Sequence, residues 1–208
     1  MDGNILSLSL NLEQMVERKF PAGFPSRRAW IHLSVMDNNG NTVFEPGKSN
    51  ADDSITGKNA DENAAGYEPH YSLITQPDQV QIYKSIMNNT NGDVTYTLLQ
   101  GSGYLMDNRL LPLGFEKQNV AANIAVYGEA DGNADFSGGS DSITYRIDTG
   151  SHSGSFTGNA ELLYQTLSYR FAMDLFSTNE VLAEEFAAYF NQAEKLPALI
   201  ASTNQSVS

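Results

Sequence analysis

Leu6, Leu8, Leu10 and Leu12 alternate with Ser7, Ser9 and Asn11. A period of two sends successive side chains to opposite faces, so this segment buries one face and wets the other only as a strand. Ala29, Ile31, Leu33 and Val35 repeat the pattern. Asn39-Gly40 then offers residues that tolerate positive φ in a hairpin turn, and residues 42–45 are the returning strand. Residues 79–87 alternate again, 88–92 form a polar turn, and 93–99 return with Val94, Tyr96 and Leu98 on one face. Further strands are expected near 122–129, 141–148 and 155–164. Strands at this spacing, punctuated by Asn/Gly turns, predict a mainly β fold, an antiparallel Ig-like β-sandwich.

The end of the chain follows another rule. Ser177-x-x-Glu180 has the form of a capping box, in which each side chain satisfies the other's terminal N–H. Phe186, Tyr189, Phe190 and Ala193 fall on one helical stripe, and Pro197 stops or kinks that helix. A shorter helix is expected within 165–176. The sequence therefore reads as a single domain, 1–208, with a helical C-terminal appendage over 165–200 and a frayed tail from Ser202 to Ser208.

Composition bounds the function classes. The formal charge of −13 opposes binding to a phosphate backbone or an anionic membrane. It keeps the chain soluble and leaves basic partners and hard cations as candidates. There is no cysteine, which removes disulfides, thiol catalysis, iron–sulfur ligation and covalent haem attachment through Cys-x-x-Cys-His. No run of 18 apolar residues is present, and Met1-Asp2-Gly3-Asn4 has neither a basic n-region nor an apolar h-region.

Several segments together resemble the cysteine-free β domain of bacterial multihaem c-type cytochromes. The first is Phe20-Pro21-Ala22-Gly23-Phe24-Pro25-Ser26-Arg27-Arg28-Ala29-Trp30-Ile31-His32. Next come Tyr67-Glu68-Pro69-His70-Tyr71, Asp78-Gln79-Val80-Gln81-Ile82-Tyr83, and the stretch from Tyr104-Leu105-Met106-Asp107-Asn108-Arg109 through Leu110-Leu111-Pro112 to Gly114-Phe115. Asp135-Phe136-Ser137-Gly138-Gly139-Ser140-Asp141 and Glu161-Leu162-Leu163-Tyr164-Gln165 extend the match, in order, over roughly residues 5 to 190. The resemblance implies a periplasmic or extracellular setting, with the leader already removed, and a link to electron transfer. It also implies a haem-bearing cytochrome domain or redox protein as partner. One departure stands out. The family's opening motif often reads Gly-His-Lys-Phe-Pro, whereas this chain has Glu17-Arg18-Lys19-Phe20-Pro21. A guanidinium has no lone pair to give to iron. With no attachment motif either, the chain is expected to carry no haem of its own.

Two acidic stretches are the candidate metal sites, and a structural Ca²⁺ is the ion they would hold. Asp131, Asn133 and Asp135 have the Asp-x-Asn-x-Asp spacing that places oxygens around calcium, with Asp141 following. Ser142 stands where an EF-hand would have its bidentate Glu, so the motif is incomplete; the alternative is a solvated turn. Asp53, Asp61 and Glu68 lie with Asp52, Asn59 and Glu62 in residues 46–78, a long segment without periodicity. Their carboxylates either share a cation or splay into solvent. Arg18, Lys19, Arg27 and Arg28 concentrate positive charge and, with His70, are candidates for docking an acidic group; internal pairing is the alternative. Trp30, Tyr67, Tyr71, Tyr83, Tyr96, Tyr104 and Tyr127 suit core and rim positions in strands, or a Ca-assisted carbohydrate- or ligand-binding surface. No Gly-x-Ser-x-Gly elbow, phosphate-binding glycine loop or His-Glu-x-x-His is present, so a non-catalytic role is expected.

Overall fold

The two longest alternating blocks pair with partners far along the chain, residues 5–13 with 140–148 and 28–37 with 156–165. The computed structural model describes residues 4–57, 59 and 61–207. Its strands are β1 (Ile5–Glu13), β2 (Arg28–Asp37), β3 (Thr42–Phe44), β4 (Leu73–Ile74), β5 (Ile82–Tyr83), β6 (Ser85–Asn88), β7 (Val94–Thr95), β8 (Gly103–Asp107), β9 (Ser140–Asp148), β10 (Phe156–Gln165) and β11 (Ala198–Val207). The helices are α1 (Glu129–Gly132), α2 (Tyr169–Phe176) and α3 (Val181–Gln192). The fold is mainly β.

β1 runs antiparallel to β9 over its whole length, and β4 adds to β9 in parallel. A second sheet has the order β11-β10-β2-β3, with β5 also paired to β2. A third, small sheet has the order β7-β6-β8. The first two sheets share one core. Leu6, Ile143, Tyr145 and Ile147 of the first sheet are buried with Ala29, Ile31, Leu33, Val35, Phe156 and Ala160 of the second. This is the face that the period-two pattern reserves for apolar side chains.

The long segment after β3 covers the other face of the second sheet. Trp30, Ile55, Val80, Ile82 and Leu163 form a separate buried cluster there. Trp30 Nε1 donates to the Gly47 carbonyl at 2.9 Å. Gly47 itself has φ 79°, and a Cβ at this position would run into the Ile31 carbonyl oxygen. Only glycine lets the backbone pass here.

Five expectations differ from the structure. Residues 93–99 form a strand only at Val94–Thr95, and Leu98–Gln100 is a 3₁₀ turn. Residues 122–129 form no strand. Ala122–Ile124 is a 3₁₀ turn, Tyr127 makes an isolated bridge to Asp107, and α1 begins at Glu129. The Ser177/Glu180 capping box is absent: Ser177 ends α2, with its Oγ donating to the Asp174 carbonyl at 2.7 Å, while Glu180 starts α3 without a side-chain cap. The helices are not a terminal appendage, because the chain leaves β10, forms α2 and α3, and re-enters the same sheet as β11. Residues 202–207, expected to fray, therefore lie in a strand, held by backbone pairing that a polar sequence does not advertise. Ser208 and Met1–Gly3 lie outside the described residues.

Candidate functional site

Most residues singled out by the sequence fall into two buried polar clusters or a scattered surface set, and buried Glu68 stands apart. The first cluster centres on Arg28, the opening residue of β2, which is fully buried. Its Nη1 donates to both carboxylate oxygens of Asp61 at 2.8 and 2.9 Å, its Nη2 to the Asp53 carbonyl at 2.9 Å, and its Nε to Gln165 at 2.7 Å. Gln165 closes the ring by donating to the Asp53 side chain. Asp61 Oδ2 also accepts the Ile55 N–H at 2.6 Å. Burial pushes the Asp53 carboxyl up to about 6 against the pull of Arg28. Asp53 and Asp61 thus answer a guanidinium. Glu68 belongs to neither cluster: it accepts the Asn59 N–H at 2.7 Å and the Tyr71 hydroxyl at 2.6 Å.

The second cluster surrounds His70, also buried. The amide nitrogens of Gln81 and Asn133 stand 2.9 Å from Nδ1 and 3.1 Å from Nε2. Oδ1 of Asp141 lies 3.6 Å from Nε2, and Phe136 packs against the ring with centroids 4.8 Å apart. Tyr83 donates its hydroxyl to Asp141 Oδ2 at 2.6 Å. Burial and the Asp141 charge together push the Tyr83 hydroxyl well up. Asn133 and Asp141 therefore meet around an imidazole.

Asp131 and Asp135 point elsewhere and are exposed. The carbonyls of Ala130, Asp131 and Asn133 all accept from Lys117 Nζ, at 3.1, 2.9 and 2.6 Å. A side-chain ammonium thus gathers the backbone carbonyls of this segment, while the side chains of Asp131 and Asp135 stay exposed. Among the described residues, no group of three or more His, Asp or Glu side chains is placed to hold a metal.

The docking candidates do not form one patch. Arg28 and His70 are buried, and Lys19 is held at 2.8 Å from Asp107 and 2.9 Å from the Ala125 carbonyl. Burial lowers the Lys19 pKa despite Asp107. Arg27 donates to the Ala22 carbonyl at 2.7 Å, and Arg18 is exposed. Sequence reasoning gave no site role to Lys117, Lys84 or Gln165, and placed Tyr83 only as a core, rim or ligand-surface aromatic. Lys84 and Gln81 were visible only as polar members of the alternating block 79–87, which does not tell that both are buried.

The surface offers a cleft of about 390 Å³ beside β8, lined by Met87, Leu98, Tyr104, Asn123 and Tyr127. The Tyr104 and Tyr127 rings lie 5.8 Å apart. Leu99, on the adjoining turn, is 99% exposed.

The fold has a counterpart among solved structures. The chain is similar over its whole length to part of a penta-heme cytochrome c552 from Thermochromatium tepidum, with TM-score 0.54 and 12% identity. It spans 37% of that cytochrome chain. No family model matches the chain, and no curated protein matches it. At this identity the likeness is one of fold.

Proposed function

We propose that this chain is a non-catalytic interaction domain of an extracytoplasmic electron-transfer system, an Ig-like β-sandwich without haem of its own that docks to a haem-bearing cytochrome domain or redox protein. The observation that carries the reading is the fold likeness, which takes in the entire chain but 37% of a penta-heme cytochrome. A cysteine-free sequence supports it, since thioether attachment of haem has no anchor here. So does the chemistry of the two polar clusters. Arg28 and His70, the groups best suited to a propionate or an iron, are consumed by internal partners. A periplasmic or extracellular location belongs to the same proposal. Among the described residues no helix is long and apolar enough to cross a membrane.

The test is production alongside c-type haem maturation machinery, then sedimentation with a purified multihaem cytochrome from the same host, followed at the Soret band. The expected result is a colourless chain that shifts the cytochrome's sedimentation at about 10 μM or below. A Soret band in the isolated chain, or a cytochrome that sediments unchanged, overturns the reading.

A second reading, a carbohydrate- or ligand-binding module, draws on the Tyr104–Tyr127 cleft, whose aromatic walls suit sugar faces. Glycan binding lost in Tyr104→Ala and Tyr127→Ala would favour it over cytochrome docking.

A further inference from the structure

β11 is the outermost strand of its sheet. β10 pairs with it on one side, and among the described residues no strand pairs with it on the other. It is 10 residues long and exposed along all of them but the last. A bare edge of this length is a template for another strand, and soluble proteins usually blunt such edges with charge, proline or short length. β11 has none of these. From Leu196 to Ser208 no side chain is ionisable, and Pro197 precedes the strand. Leu199 and Ile200 are 55% and 48% exposed where the strand begins.

We infer that β11 is a self-association edge, on which a second copy of this chain adds its own β11 antiparallel about a two-fold axis. Charge selects this occupant. Two bodies of −13 repel across any acidic face, so they approach most closely along a neutral seam. Across a two-fold, each residue also meets itself or a symmetry mate, so an isologous strand must be free of like charges. A basic partner attracted by the net charge would be better received by an acidic edge, and β11 offers none.

The geometry follows from the axis. A two-fold perpendicular to the sheet keeps the faces matched, so the seam centres on Ser202, Thr203 or Asn204 meeting its own copy. The product is one continuous sheet, β3-β2-β10-β11 followed by its mirror order, joined along about 23 Å of regular strand from residue 201 to 207, beyond the bulge that skips Ile200. Leu199 and Ile200 of each copy then lie beside the Ser206–Val207 end of the other and leave solvent. The inference is independent of the cytochrome reading, and its failure leaves that reading untouched.

Sedimentation velocity from about 1 to 100 μM tests it. The expected result is a concentration-dependent dimer, tighter at about 0.5 M than at about 0.05 M salt because screening weakens the repulsion between the acidic bodies. The native chain has no cysteine, so Ser202→Cys, Thr203→Cys and Asn204→Cys report the seam directly as disulfide-linked dimers under mild oxidation. Ser9→Cys, at an exposed position of β1, is expected to stay monomeric. Asn204→Lys, which keeps an exposed side chain exposed, is expected to abolish the dimer, and mixing it with Asn204→Asp to restore a mixed one. A chain that remains monomeric at about 100 μM overturns the inference, as does cross-linking of Ser9→Cys as fast as at the seam, or a dimer indifferent to Asn204→Lys.

Discussion

Nη1 of Arg28 lies 2.8 Å from one carboxylate oxygen of Asp61 and 2.9 Å from the other, and neither side chain exposes more than 2% of itself to solvent. The pair ties the long segment after β3 to the start of β2. Removing one member strands the other in a medium where an unpaired charge is expensive. Asp61→Ala is therefore expected to cost about 3–5 kcal/mol in urea unfolding, while Arg28→Met combined with Asp61→Leu costs clearly less than that single change. An Asp61→Ala midpoint equal to wild type would show that the contact carries no stability.

Lys84 and Asp53 predict opposite pH slopes from the same cause. Lys84 is buried, and burial, helped by the Arg28 charge, lowers its pKa from 10.5 to about 8. The folded chain then gives up this proton before the unfolded chain does, so the stability from Lys84 is full above about pH 10.5 and falls away as pH drops through about 8. Asp53 is raised from 3.8 to about 6, chiefly by burial, so its contribution is full below about pH 4 and is lost as pH rises through about 6. Lys84→Met is expected to raise stability by about 3 kcal/mol at pH 7 and to flatten the alkaline limb. Asp53→Asn flattens the acid limb. Guanidinium unfolding from pH 4 to 10 measures both. An alkaline slope unchanged in Lys84→Met would refute the assignment.

The strands were legible and their neighbours were not, for a physical reason. Alternation at Leu6–Leu12 and Ala29–Val35 reports local burial, and both segments are strands as expected. Residues 122–129 mix Ala, Asn and Val without a face, and the segment's backbone meets β8 through the isolated Tyr127–Asp107 bridge, a contact that local patterning does not encode. β11 is the converse: its polar stretch carries no alternation because it is exposed on both faces, and its strand state comes from pairing with β10. The partners of the candidate site residues were hidden for a similar reason. The Asp-x-Asn-x-Asp spacing does not reveal that the backbone carbonyls of Ala130, Asp131 and Asn133 turn to Lys117 while the Asp131 and Asp135 side chains stay exposed. Asp141, grouped by the sequence with Asp131, Asn133 and Asp135 as a candidate metal ligand, is partnered by Tyr83, which is 58 residues away.

That Tyr83–Asp141 contact yields its own expectation. Oδ2 of Asp141 accepts the tyrosine hydroxyl at 2.6 Å, whereas Oδ1 has no hydrogen-bond partner among the described residues. Tyr83→Phe keeps the ring and removes that donor to a buried carboxylate. The expected loss is about 2–3 kcal/mol, more than an ordinary neutral hydrogen bond because the acceptor is an acid. Tyr83→Phe with Asp141→Leu should recover part of it. Thermal unfolding at pH 7 decides: equal melting temperatures for Tyr83→Phe and wild type would mean that the hydroxyl contributes nothing.

Lys117 bears on calcium directly. Its ammonium receives three carbonyl oxygens of the segment that ends α1, at 2.6 to 3.1 Å, and lies 6.0 Å from the Phe136 ring centroid. The electrostatic demand of those carbonyls is thereby met within the chain. Adding Ca²⁺ or a chelator is expected to leave the wild-type melting temperature unchanged, since only an ion bound to the folded state raises it. Lys117→Met keeps the stem and deletes the charge, leaving Ala130, Asp131 and Asn133 carbonyls to water. A loss of about 1–2 kcal/mol, or roughly 3–6 °C, is expected, together with faster amide exchange over residues 129–135. Calcium that stabilises wild type more than Lys117→Met would place an ion elsewhere in the fold. Calcium that stabilises the variant alone would show that the lysine and the metal compete for one set of oxygens.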